Sequence, residues 1–101
     1  MSNPLDIFNK IDPSLFSQLE QSETLAFAEG EIPPKYKYLI ALAIDASKGA
    51  TEGVKSLATR AMQIGATREE IAETMRIVYH ITGAASMYAS APALREIFEN
   101  Y

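Results

Sequence analysis

The sequence predicts an all-α fold: one domain, residues 1–101, of five to six helices. Three observations carry this. Across residues 36–65 two runs of apolar residues at helical spacing meet at the break Lys48-Gly49-Ala50-Thr51. Residues Thr67-Arg68-Glu69-Glu70 have the form of a capping box, the threonine and the second glutamate each able to satisfy a free backbone N–H at a helix start. No stretch of useful length alternates apolar and polar residues with the period of a strand.

In chain order, residues 4–11 place Leu5, Phe8 and Ile11 on one side of a short helix, with Asn3-Pro4 as its start. Asp12-Pro13 repeats that signal and opens a helix of about four turns through Leu15, Phe16, Leu19 and Leu25, closed by Gly30. Pro33-Pro34 stiffens the next connector, and Pro34 suits a first helical position. From Lys35 towards Gly49 the third helix carries no charge between Lys37 and Asp45, a pattern that calls for burial on more than one side. The fourth runs from Thr51, read as its N-cap, to a stop at Gly65. Val54, Leu57, Ala58, Ala61 and Met62 form its apolar face. The capping box then starts a helix with Ile71, Met75, Val78, Tyr79 and Thr82 inward. Small residues dominate from Thr82 to Ala93 and permit close approach of another helix or of a second copy. Pro92 reads as a kink or a new start before a last helix, Ala93 to Asn100, with Leu94, Ile97 and Phe98 inward.

Composition excludes several function classes. A hydrophobic share of 48% with 22% charged residues belongs to a folded globular chain. The net charge of -4 and the scattered basic residues offer no cationic field for a phosphate backbone, so nucleic acid is not an expected partner. The chain has no cysteine, which removes disulfides, thiolate nucleophiles and thiol peroxidase chemistry. One histidine and no cysteine also argue against a metal site, and no cofactor motif is present. The uncharged stretch Ile77 to Leu94 contains His80, Thr82, Ser86, Ser90 and Pro92 and is too polar for a membrane span. The segment MSNPLDIFNK has neither the basic start nor the apolar run of a signal peptide, so a cytoplasmic location is expected. A short chain buries a modest share of its surface, which favours a homo-oligomer.

The stretch from Tyr38 to Glu73 resembles the carboxymuconolactone decarboxylase family, which includes the alkyl hydroperoxide reductase D proteins. The resemblance rests on the apolar helix from Tyr38-Leu39-Ile40, the break at Gly49, the run Arg60-Ala61-Met62-Gln63-Ile64-Gly65-Ala66-Thr67, and Glu70-Ile71-Ala72-Glu73. Gly83, Tyr88 and Ala91-Pro92-Ala93 look like the family's later helix. The resemblance implies that helical fold and a trimer or hexamer. It also implies, for redox members, a glutamate in the first of these helices, a Cys-x-x-Cys at the start of the second and a histidine four residues beyond. Aligned through Gly65, those positions are Tyr38, Ala50, Gly53 and Leu57, and each has lost its chemistry. The name-giving decarboxylases do not depend on the cysteine pair, so a small organic acid or lactone stays in view as ligand.

His80, the sole histidine, is the candidate acid/base, because histidine is the residue type suited to proton transfer near neutral pH. It continues a polar line on its helix, Glu69, Glu73, Arg76, His80, whose plainer reading is a solvated face. Tyr38 is the candidate hydrogen-bond donor, and Arg76 and Tyr36 candidate ligand contacts; tyrosines so placed also serve as core volume, as do Tyr79 and Tyr88. Ser47, Ser56, Ser86 and Ser90 lack a nucleophile setting. Asp45 is expected to pair locally with Lys48, and Met62, Met75 and Met87 to pack. Two readings follow: a non-thiol enzyme or ligand-binding oligomer, and a non-catalytic assembly module on the same scaffold.

Overall fold

The computed structural model describes residues 3–99. It is all-α, as expected, with six helices and no strand among those residues. The helices group into two compact units, one ending at Gly30 and one beginning at Glu31.

The first unit holds α1 (Asp6–Ile11) and α2 (Pro13–Ala26). Asp12 joins them by two bonds. Its N–H donates to the Phe8 carbonyl at 2.8 Å, closing α1, and its carboxylate accepts from the Leu15 N–H at 3.1 Å, opening α2. The start expected at Asn3-Pro4 lies two residues further on, because the Asn3 side chain takes the Leu5 N–H instead (3.0 Å). Gly30 does not end α2. The helix stops at Ala26, where the Phe27 N–H bonds back to the carbonyls of Glu23 and Leu25. No residue of either helix is buried.

The second unit holds α3 (Pro34–Ser47), α4 (Thr51–Gln63), α5 (Arg68–Thr82) and α6 (Ala84–Glu99). Gly49, Gly65 and Gly83, at φ of 71°, 109° and 89°, follow the first three of these and take the left-handed turn that an L side chain resists. The core is built from Leu39, Leu42 and Ala46 of α3, Val54, Ala58 and Ala61 of α4, Ile71, Met75 and Val78 of α5, and Ala93 and Ile97 of α6. Leu57, Met62 and Met87 pack against it, as the spacing predicts.

Four local expectations are corrected. Ala50, not Thr51, caps α4. The Thr51 hydroxyl lies one position inside the helix and donates across to the Ala89 carbonyl at 2.7 Å, fastening α4 to α6. Tyr79 and Thr82 are exposed: a turn of 100° per residue carries Tyr79 past the buried stripe 71, 75, 78, whereas Thr82 is in line with that stripe but is the last residue of α5. The Thr82 hydroxyl is satisfied by the Val78 carbonyl at 2.7 Å and lies 2.6 Å from the Ser86 hydroxyl. The break in the small-residue segment falls at Gly83, so α6 runs unbroken through Pro92. The bond that Pro92 cannot make belongs to the carbonyl of Tyr88, and Tyr88 lies on the exposed side of α6. The ion pairs described are Lys35–Glu70, Lys55–Glu96 and Arg95–Glu99, and Asp45–Lys48 is not among them. The expected helix end at Asn100 lies outside the described residues.

The buried face of α6, Ser86, Ser90, Ala93 and Ile97, is mostly small, and its close approach is to α4, α5 and α3 of its own chain. By contrast α3 does not bury both of its apolar sides. Leu39, Leu42 and Ala46 are inward, while Ile40 and Ile44 are half exposed.

Candidate functional site

The two sides of α3 separate because its apolar residues run nearly all round the helix while, within its own unit, α4, α5 and α6 pack on one side of it. The uncovered side meets α5 in an open groove of about 480 Å³. Leu39 and Ala43 form its floor. Tyr36, Ile40 and Ile44 stand along the α3 wall, and Ile77 on the α5 wall. Its polar end is Glu70, Glu73 and Thr74. The Thr74 hydroxyl is spent on the Glu70 carbonyl at 2.8 Å.

The capping box positions Glu70. The Thr67 N–H donates to Glu70 Oε1 at 2.9 Å, the Glu70 N–H donates to Thr67 Oγ1 at 3.0 Å, and Lys35 Nζ lies 3.0 Å from Glu70 Oε2. The Thr67 N–H, and after it the Lys35 ammonium, hold the Glu70 carboxyl below its ordinary value of 4.5, and the same pairing raises the Lys35 ammonium. A depressed folded value stabilises the fold fully above the unfolded value and is lost as pH falls through the folded one. Glu70→Gln keeps an acceptor for the cap but removes the titration, so its loss of urea resistance between pH 7 and pH 3 will be smaller than that of the wild type. Thr67→Ala, which removes the hydroxyl half of the box, costs about 1 kcal/mol at pH 7.

Of the four residues singled out in the sequence, the groove collects one, Tyr36, with the Lys35 ammonium 5.0 Å from its ring centre. Tyr38 is half buried against the core with the Arg60 guanidinium 5.6 Å from its ring centre. Arg76 and His80 are exposed on α5, outside the groove lining. The polar line Glu69, Glu73, Arg76, His80 is a solvated face along its length, and Glu73 alone reaches the groove.

The positions of the missing redox motif hold no chemistry. Ala50 caps α4, Leu57 packs on the core, and Gly53 carries no side chain for a steric reason. A Cβ there would overlap Asp45 Oδ2 and stand 2.9 Å from Asp45 Cγ. This contact was not readable in the sequence, since the two residues are eight apart across a helix break. The groove had a weak signal: Ile40, Ile44 and Ile77 fall outside the inward stripes of their helices. Among the described residues no cluster of three or more histidine, cysteine or acidic side chains could hold a metal ion, and no helix is long and apolar enough to cross a membrane.

Residues 13–96 match the model of the carboxymuconolactone decarboxylase family. An uncharacterized protein of Methanocaldococcus jannaschii is 26% identical over 93 residues, covering 92% of this chain and 87% of that one. An uncharacterized protein of Cupriavidus necator is 33% identical over 79 residues, covering 77% and 70%. In three dimensions the chain is similar to the apo crystal structure of a carboxymuconolactone decarboxylase family protein from Legionella pneumophila. That likeness has a TM-score of 0.84 and 30% sequence identity, over 95% of this chain and 85% of that one.

Proposed function

The chain belongs to the carboxymuconolactone decarboxylase family, and from that premise we propose that it works without a thiol, as a homo-oligomer that binds a small lactone in the groove between α3 and α5. The observation that carries this reading is the groove itself, apolar along its length and polar at one end. An apolar concavity with a few polar groups is the usual form of a small-molecule site.

Of the two ligand classes in view, an organic acid and a lactone, the rim selects the neutral one. Lys35 compensates Glu70, but Glu73 adds a second carboxylate at the same end, and an incoming anion would meet it at close range. A lactone brings a carbonyl acceptor without charge. Tyr36 is the phenol donor for it, and Ile40, Ile44 and Ile77 take the hydrocarbon part. His80, Tyr38 and Arg76 do not line the groove of their own chain, so in this reading the site binds its ligand and any acid/base role of His80 is exercised from outside that lining.

A thermal-shift comparison of γ-octalactone with octanoate tests the proposal, because a ligand that binds the native state raises the unfolding temperature with occupancy. The lactone is expected to raise it and octanoate to do so less. Ala43→Met, which fills the floor, is expected to abolish both shifts. Equal indifference of wild type and variant to the two compounds would overturn the reading, and so would turnover of an alkyl hydroperoxide by the purified chain.

A further inference from the structure

The charge of the chain is divided unevenly between its two units. Of thirteen acidic and nine basic residues, Asp6, Asp12, Glu20, Glu23 and Glu29 fall in residues 1–30 against Lys10 alone, which leaves eight of each sign in residues 31–101. The whole net charge of -4 therefore belongs to the first unit, and the second is neutral. The ion pairs described all lie in the second unit.

The acidic unit also keeps its apolar side chains uncovered. No residue of α1 or α2 is buried, and Ile7, Ile11 and Leu25 are 52%, 68% and 79% exposed. Ile7 and Ile11 stand one turn apart on α1, as Leu15 and Leu19 do on α2, so each pair repeats at the helical pitch of about 5.4 Å. Glu20 and Glu23, three residues apart on α2, are both exposed. Scattered surface isoleucines are ordinary. Apolar residues at helical spacing within a unit of one charge sign are a recognition pattern, since the charge sets which partner can approach them.

That sign selects the occupant. A nucleic acid or an anionic membrane surface is repelled by it. A second copy brings the same -4 on this unit and a neutral second unit, so it offers no opposite charge. The complement is a helix whose apolar residues repeat at the same spacing and are flanked by lysine and arginine. We propose that the α1–α2 hairpin docks a basic amphipathic helix of a different protein. The apolar stripe of that helix packs on Ile7 and Ile11, and its flanking cations meet Glu20 and Glu23. The groove between α3 and α5 takes no part in this contact, so the two sites are tested separately.

Fluorescence anisotropy of a labelled Leu/Lys peptide, with leucine at i, i+3, i+4 and i+7, tests this on the full chain. The wild type is expected to bind the peptide and to release it as salt screens the charges. A Leu/Glu peptide of the same spacing is expected not to bind. Ile7→Ser/Ile11→Ser and Glu20→Gln/Glu23→Gln are each expected to weaken binding about tenfold with the helical circular dichroism unchanged. Glu52→Gln/Glu69→Gln, which removes the same charge from the second unit, is expected to leave it unchanged. Failure of the wild type to bind the Leu/Lys peptide would overturn the proposal, as would equal losses from the two glutamine pairs. So would a sedimentation mass of the free chain that falls with Ile7→Ser/Ile11→Ser, because a second copy then covers the strip.

Discussion

Leu42→Ala is expected to lower the stability of the protein by about 2–5 kcal/mol. Leu42 is fully buried on the inner side of α3, the helix that touches α4, α5 and α6. The cost of such a truncation depends on how far the neighbours can collapse into the space. Here much of the core is Ala46, Ala58, Ala61, Ala93 and Ser90, side chains too short to reach into a cavity. The value should therefore fall in the upper part of that range and lower the melting temperature by roughly 4–8 °C for each kcal/mol. Ile40→Ala, two positions earlier and half exposed, is the control: it removes a similar amount of hydrocarbon that is already half in water, and should cost far less. Urea titrations of both variants make the comparison. Similar losses for the two would contradict the one-sided burial of α3.

The second large effect concerns Gly53. Glycine in a helix interior is disfavoured by about 1 kcal/mol relative to alanine, so Gly53→Ala would ordinarily stabilise α4. In this protein the new Cβ overlaps the Asp45 carboxylate, and forcing a side chain into filled space costs about 1–3 kcal/mol. Both Gly53→Ala and Gly53→Cys are expected to destabilise the wild type. In an Asp45→Ala background the same substitutions should turn neutral or stabilising. A double-mutant cycle reads the coupling directly, and simple additivity of the changes at 45 and 53 would show that the contact does not govern the site.

Much of the fold was legible because helices announce themselves locally. The Thr67–Glu70 box, the Asp12-Pro13 start, the stops at Gly49 and Gly65 and the apolar stripe of α4 are all features of a few consecutive residues, and all are present in the structure. What failed was any inference that needed a neighbouring element. Thr51 has the right hydroxyl for a cap, and only the position of Ala89 explains why it bonds elsewhere. Pro92 has the right chemistry for a break, yet Gly83, with its left-handed backbone, ends α5 nine residues earlier. Asp45 and Lys48 have suitable spacing for a pair, but the carboxylate lies against Gly53. The site was read less well for the same reason. Tyr36 was found as one of several tyrosines, and the groove it lines is made by the side of α3 that its own chain leaves uncovered.

The contact between Asp45 and Gly53 also orders the routes by which a sequence of this kind can change. A side chain at position 53 requires the Asp45 carboxylate to turn out of the space it fills. The two positions are therefore coupled: each state of one changes the cost of the substitutions open to the other, and a thiol at 53 comes more easily to a chain whose residue 45 is short or apolar.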